Sequence, residues 1–415
     1  MASSVYALSQ INYSTSTVRK LFWFLFLIVG TVGCAYKSYQ FFKTYFLYPI
    51  IFTLTVEHVE NLEFPAVSVC NFNRLEFSKQ ARTILLLSER RNFFHCNEAN
   101  DPGRNETKQN MRLFLMKYYE MDAETRFLMG QNLSIFIEKC LFRGRLCDRN
   151  HSKYFQNSRY GNCITFNKGN KEMKILTVSD SGPNTGLILE LNLQYDYYEK
   201  NTEAIGARVV IHDPSVYPSP EHEGFNLSPG FEILVSLQQS VTYRLPAPFR
   251  DRCIDYETHQ GSSVKNQKDC VKTCIQTENF AKCGCTDQTL NVMSNLKHCD
   301  LTNDTEMCCL DKVLKNLSNY GPFCDCPLPC KSVSYNEMSS AAVWPSMSSP
   351  MDPYTPKQYK IRLNVFFSSL EGMIYEQKPK FKGYQLLSYL GCELGMWLGL
   401  SLISVFEIVV LCHSQ

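Results

Sequence analysis

Near the end of the chain, residues 391–412 read GCELGMWLGLSLISVFEIVVLC. The segment is apolar enough to enter a bilayer, yet it holds Gly395, Gly399, Ser401, Ser404 and a carboxylate, Glu407. An ionised carboxylate at bilayer depth is costly, so such a residue faces protein or water and marks a functional site by default. Small residues let neighbouring backbones approach closely, and hydroxyls or freed carbonyls can replace the water shell of a cation. Two readings stay open on these residues alone: a pore-lining segment, or a packing face with Glu407 near the cytoplasmic interface.

A second apolar stretch, LFWFLFLIVGTVGCAY at residues 21–36, follows Arg19 and Lys20 and runs on through aromatic-rich sequence interrupted at Lys37 and Lys43. A spanning helix takes about 20 mostly apolar residues, a length reached here with the lysines at the interface. The rival reading is a cleaved signal peptide, with VGCA supplying small residues near a cut. Basic residues flank both ends and give no orientation. The simplest topology has transmembrane helices at 21–43 and 386–412, an extracellular domain at 44–385, and short cytoplasmic ends at 1–20 and 413–415. One anchor carrying an ectodomain is the alternative.

The residues between the two stretches support an extracellular position. Of 19 cysteines, all but Cys34, Cys392 and Cys412 fall between Cys70 and Cys330, a density that points to a disulfide framework in an oxidising compartment. Sequons stand at Asn105, Asn132, Asn150, Asn226, Asn303 and Asn316, with Asn226 weakened by the proline that follows Ser228. A formal net charge of +2 with scattered basic residues gives no footing for nucleic acid. No G-x-S-x-G elbow, Walker loop or H-E-x-x-H is present, and the run Glu221, His222, Glu223 has no partner motif, so nothing points to an enzyme or a cofactor. The close pairs Cys283 with Cys285 and Cys324 with Cys326 offer a rival zinc reading, but zinc sites favour wider spacing.

The stretches FPAVSVCNFNR at 64–74, RYGNCITFN at 159–167, GLILELNL at 186–193 and LLSYLGCELGMWLGLSLISVFE at 386–407, taken in order, resemble the degenerin, epithelial sodium channel and acid-sensing ion channel family. FPAVSVCNFNR at 64–74 resembles the strand that follows the first membrane helix of that family. RYGNCITFN at 159–167, GLILELNL at 186–193 and VVIHDPSVYPSPEHEGFNLSPG at 209–230 are similar to later family strands. Cys253, Cys270, Cys274, Cys283, Cys285, Cys299, a cysteine at 308 or 309, Cys324, Cys326 and Cys330 resemble its thumb cysteines. SYNEMSSAAVWPS at 334–346 resembles the invertebrate members, and LLSYLGCELGMWLGLSLISVFE at 386–407 resembles the pore helix.

The resemblance implies a trimeric membrane protein with two transmembrane helices flanking a large disulfide-rich α+β extracellular domain built as palm, finger and thumb. It implies a plasma-membrane, sodium-preferring, amiloride-sensitive cation channel subunit, in a homotrimer or heterotrimer, with both termini cytoplasmic and an extracellular ligand unknown. Gly399, Leu400 and Ser401 match the selectivity filter, Glu407 the acid near the cytoplasmic mouth, and Ser388 the small degenerin position at the gate. Tyr48 and Phe249 take the places of the aromatic pair at the wrist, where ordinary packing is the competing reading. The implied disulfides are Cys70–Cys163, Cys140–Cys147, Cys253–Cys330, Cys270–Cys326, Cys274–Cys324, Cys285–Cys299 and Cys283 with Cys308 or Cys309, the latter preferred, leaving Cys96 and the spare cysteine. From the residues alone, Cys270 and Cys274 are four apart and share one helix face.

The chain also departs from the family pattern. Val5 and Tyr6 stand where a His-Gly pair is expected, Val410 replaces a second acid, and Pro49 and Ile50 replace the histidines of proton-gated members. A non-conducting subunit of a heterotrimer and a single-anchor receptor therefore remain the alternatives to a conducting channel.

Overall fold

The computed structural model describes residues 10–11, 13–75, 118, 121–157, 159–169, 174–198, 204–256, 264, 266–290, 296–300, 303–321, 324–344, 359–401, 403 and 406. The chain divides into two units, one of residues 1–53, 244–253 and 376–415, the other of residues 54–243 and 254–375. Glu407, Ser404, Asn105, Cys96, Cys412, Val5, Tyr6 and Val410 lie outside the described residues.

The first unit is organised by two apolar helices, α1 at Thr17–Tyr45 and, at the far end of the chain, one at Gly383–Leu398. At 29 residues, α1 extends beyond the apolar stretch at both ends, and at 1.5 Å per residue it is about 43 Å long, more than the hydrocarbon thickness of a bilayer. Its best 18-residue window has a mean hydropathy of 1.7. Leu21, Phe22, Phe24, Leu25, Val29 and Val32 are exposed around it, while Gly30 and Cys34 are buried. An exposed apolar surface of this kind suits lipid and does not suit water.

The second unit is α+β. Its strands are β1 (Ile50–His58), which begins in the first unit, β2 (Leu62–Glu63) and β3 (Ala66–Asn71). Helices α2 (Ala123–Met129) and α3 (Leu133–Phe136) lead to β4 (Ile137–Phe142), β5 (Arg145–Leu146), β6 (Ser152–Asn157) and β7 (Gly161–Phe166). Then come β8 (Thr177–Val178), β9 (Leu187–Asn192), β10 (Ala207–His212), β11 (Phe225–Leu227) and β12 (Phe231–Tyr243). After α4 (Gln267–Cys283) and α5 (Asp304–Tyr320), the chain returns through β13 (Lys331–Val343), β14 (Lys360–Phe367) and β15 (Glu371–Pro379) to α6, the helix at Gly383–Leu398.

Eight strands form one sheet in the order β1-β15-β12-β14-β9-β4-β5, with β13 on β12. Alternation along β9 buries Leu187, Leu189 and Leu191 and turns Ile188, Glu190 and Asn192 outward, the period of two that half-buries a strand. On the outward face, Lys139, Glu190, Arg362 and Glu232 are successive cross-strand partners on β4, β9, β14 and β12. Arg362 reaches Glu190 at 3.7 Å and Glu232 at 3.6 Å. A one-residue slip in any strand would drop this row into the apolar face, so the pattern holds the register.

A five-stranded sheet, β11-β10-β3-β7-β6, supplies the other half of the body. Every residue of β3 and β7 is buried, as befits central strands covered on both faces. Cys70 and Cys163 lie directly opposite in this pairing and are joined. The main core combines both sheets, Val67, Val69 and Val209 from the five-stranded one meeting Leu189, Leu191, Val235, Leu237, Leu363, Val365 and Phe367 from the eight-stranded one, all no more than 2% exposed.

Helices α4 and α5 are held by cysteines. Asn266 caps α4 by accepting from the Asp269 backbone N–H, and Asn303 caps α5 by accepting from that of Thr305. One face of α4 carries Cys270 and Cys274 to Cys326 and Cys324. Cys283 joins Cys309, Cys285 joins Cys299, and Cys140 joins Cys147. Cys253, Cys308 and Cys330 are disulfide-bonded as well, whereas Cys34 and Cys392 are free thiols. A side-chain amide does the rest: Gln276, 4% exposed, donates to the Asp287 carbonyl at 2.6 Å and accepts from its N–H at 2.8 Å.

Candidate functional site

Helix α6 starts at Gly383, where the Gln385 side chain accepts from the backbone N–H of Lys382 at 2.9 Å. It stops at Gly399, which has φ 62°, in the left-handed region, and donates its N–H to the Gly395 carbonyl at 3.0 Å. Glycine adopts this conformation without the Cβ penalty, which makes it the usual left-handed cap. Leu400 and Ser401 follow in non-helical backbone. Gly399, Leu400 and Ser401 are therefore a helix end set within apolar sequence, with Ile403 and Phe406 beyond it 72% and 69% exposed.

Two faces of α6 differ in chemistry. Tyr389, Glu393 and Trp397, spaced four apart, form one row. The Tyr389 ring stacks on Phe41 of α1 with centroids 3.9 Å apart, and Phe41 also meets Phe381 at 5.3 Å. The Trp397 ring lies against Gly33, where an added Cβ would come within 2.6 Å of it, and the Trp397 carbonyl approaches Gly30 equally closely, with a Cβ there only 2.7 Å away. A second row of Ser388, Gly391, Cys392, Gly395 and Gly399 is exposed in the single chain. Ser388 thus lies on the face that α1 leaves open.

Tyr48, just past the end of α1, has φ 48°, and its ring meets Phe249 edge to face at 5.7 Å. The segment that carries Phe249 is tied down by Gln377 near the end of β15. Only 4% exposed, Gln377 accepts from the Leu245 backbone N–H at 3.0 Å and donates to Asp251 at 2.5 Å. Neither Gln377 nor Asp251 belongs to any sequence motif considered above. Their meeting across more than a hundred residues leaves no local signal.

Among the sequon asparagines, Asn132, Asn150, Asn226 and Asn303 are exposed and Asn316 is half-buried on α5. Donor atoms of Cys285, Cys299 and Glu306 lie within 4.8 Å of one another. Both sulfurs are engaged in a disulfide, and zinc binds thiolates, so this trio offers a metal a single carboxylate.

A buried polar chain crosses the five-stranded sheet. The His212 Nδ1–H donates to the Asp213 carbonyl at 2.9 Å, so Nε2 accepts from the Ser68 hydroxyl at 2.8 Å, and Ser68 accepts from Thr165 at 2.7 Å. Burial, with Lys168 adding to it and Asp213 and Glu223 opposing, pushes the imidazole down to about 4. A histidine in the unfolded chain titrates near 6.5. The folded protein therefore holds fewer protons between these values, and its stability is complete above the higher one and falls as pH drops towards the lower, by an amount of order 3 kcal/mol. Glu337, pushed up to about 6 by burial and by Glu223, works in the opposite sense and more weakly, being partly exposed. The melting temperature of detergent-solubilised protein is expected to rise from pH 4.5 to 7, and His212→Gln to flatten that rise. Parallel profiles for the two proteins would refute the assignment.

A long apolar helix, a second one broken at a glycine, and a cysteine-stapled α+β body are the parts of a membrane channel with a disulfide-rich extracellular domain. The chain belongs to the amiloride-sensitive sodium channel family, whose family model matches residues 1–411. Degenerin deg-1 of Caenorhabditis elegans is 28% identical over 316 residues, spanning 70% of this chain and 40% of its own length. Acid-sensing ion channel 1 of Gallus gallus is 27% identical over 440 residues, spanning 98% of this chain and 81% of its own length. This chain thus covers less than half of the degenerin and most of the acid-sensing channel. Among solved structures, a proton-activated chloride channel covers 94% of this chain and 97% of its own at 7% identity, with a TM-score of 0.37. The family is one of plasma-membrane ion channels and not of enzymes.

Proposed function

We propose that this chain is a subunit of a trimeric, sodium-preferring cation channel, blocked by amiloride and gated through its extracellular domain. In this reading residues 21–43 and 386–412 span the membrane, residues 44–385 are extracellular, and residues 1–20 and 413–415 are cytoplasmic. Gly399, Leu400 and Ser401 form the filter, Glu407 supplies a ring of carboxylates at the cytoplasmic mouth, and Ser388 lies at the gate. Tyr48 and Phe249 couple the extracellular domain to the helices.

The observation that carries the reading is the end of α6 at Gly399 within an apolar segment. Non-helical backbone at membrane depth is tolerated only where it lines a cavity or is buried in protein. The exposed small-residue row of α6 is consistent with the close approach of further copies around such a cavity. Ions would move passively, with the backbone carbonyls and the Ser401 hydroxyl standing in for water.

Voltage clamp of cells expressing the wild type and Ser388→Phe tests this, with external sodium exchanged for potassium and amiloride added. The expected result is an amiloride-blocked, sodium-preferring current that appears or grows in the variant. Surface-expressed protein that carries no current in either form would leave a silent heterotrimer subunit or a single-anchor receptor as the better reading.

A further inference from the structure

The row of α6 that faces α1 contains a carboxylate to which the roles above assign nothing. Glu393 lies midway between Tyr389 and Trp397, one helical turn from each. Its carboxylate accepts from the Trp397 indole N–H at 2.8 Å. That donor belongs to a side chain already engaged with α1. Tyr389 stacks on Phe41, and Trp397 fits over Gly33, where no side chain could stand. An acid at membrane depth is retained where it is paired and has a task.

We propose that Glu393 is a positioning residue that clamps α6 to α1. By holding the Trp397 indole in the orientation that α1 accepts, it sets the line along which α6 reaches Gly399, two residues beyond Trp397. The consequence for ion selectivity rests on the channel reading; the clamp itself does not. Glutamine at this position retains an oxygen that accepts from the indole, whereas leucine matches the size and retains no acceptor.

The test uses the full-length protein and two readouts. Trp23, Trp344 and Trp397 are the only tryptophans. With Trp23→Phe and Trp344→Phe, the vibrational signature of the indole hydrogen bond therefore reports on Trp397 alone. Glu393→Leu is expected to lose that signature and Glu393→Gln to keep it. In the Ser388→Phe background, the sodium-to-potassium permeability ratio from reversal potentials is expected to fall about threefold to tenfold for leucine, the range set by losing a hydrogen bond, and to recover with glutamine.

A leucine variant that keeps the indole signature, or loses it with an unchanged permeability ratio, overturns the proposal. If Glu393→Leu does not reach the surface, Trp397→Phe takes its place. It keeps an aromatic ring against Gly33 and removes the indole N–H that Glu393 accepts from, and an unchanged ratio there overturns the proposal equally. Absence of current in every form, with the leucine-specific loss of the indole signature, would uphold the clamp and defeat the channel reading alone.

Discussion

Replacing Gly224 by alanine is expected to remove most of the protein from the cell surface. Gly224 has φ 86°, where an L side chain is strained, and an added Cβ would stand 1.8 Å from the Val209 carbonyl oxygen. That oxygen belongs to the backbone of β10, which cannot yield as a flexible side chain would. Val209 is paired with Phe225 of β11 on one side and Val69 of β3 on the other. The methyl must therefore push β11 away or open the central pairing of a fully buried strand. Left-handed strain costs about 1–3 kcal/mol and overpacking another 1–3 kcal/mol, a large part of the roughly 5–15 kcal/mol that keeps a domain folded. Gly144→Ala is the control, because Gly144 has φ 73° and an added Cβ there meets nothing within 4 Å. Surface biotinylation should show severe loss for Gly224→Ala and mild loss for Gly144→Ala. Equal yields would mean that the close approach at Val209 is not what requires glycine.

The second large effect is expected at Gly33. Valine there would drive its Cβ into the Trp397 ring, whose nearest carbons lie 2.6–2.9 Å from that position. The indole cannot retreat freely, because its N–H is held by Glu393. Loss of the α1–α6 contact should abolish current and lower the melting temperature of the solubilised protein by several degrees. Specificity is tested by a double-mutant cycle with Trp397→Leu, which makes room for the added methyls. The pair should be less damaged than the sum of its parts. Additive effects would place the harm of Gly33→Val somewhere other than this contact.

Much of the membrane-associated part can be read from local sequence, because its signals are local. An apolar run of spanning length predicts a helix, and α1 is one. The resemblance of GLILELNL to a family strand is met by β9, which buries Leu187, Leu189 and Leu191. The i, i+4 spacing of Cys270 and Cys274 places both on one face of α4, from which they reach Cys326 and Cys324. The motifs from residue 64 to residue 407, each weak alone, point to the amiloride-sensitive sodium channel family through their order.

Other features left no trace that a single sequence could show. Glu393 sits within the apolar segment quoted at the outset, but only the packing of two helices distant in the chain reveals that the indole it holds rests on α1. Gln377 reads as an ordinary polar residue at the end of a strand until Leu245 and Asp251 arrive beside it. His212 looks like one histidine among eight until burial against Ser68 and Thr165 denies it a proton.

By itself, then, the sequence determined the apolar segments, the cysteine-rich α+β body between them and the family, since periodicity, composition and motif order are properties of neighbouring residues. Only the tertiary structure decided which face of α6 turns to α1, which carboxylate holds the indole packed there, and which glycines face backbone at less than contact distance. Those outcomes depend on elements remote in the chain being brought within a few ångströms of one another, and there burial and close packing assign each side chain the partner that local sequence cannot name.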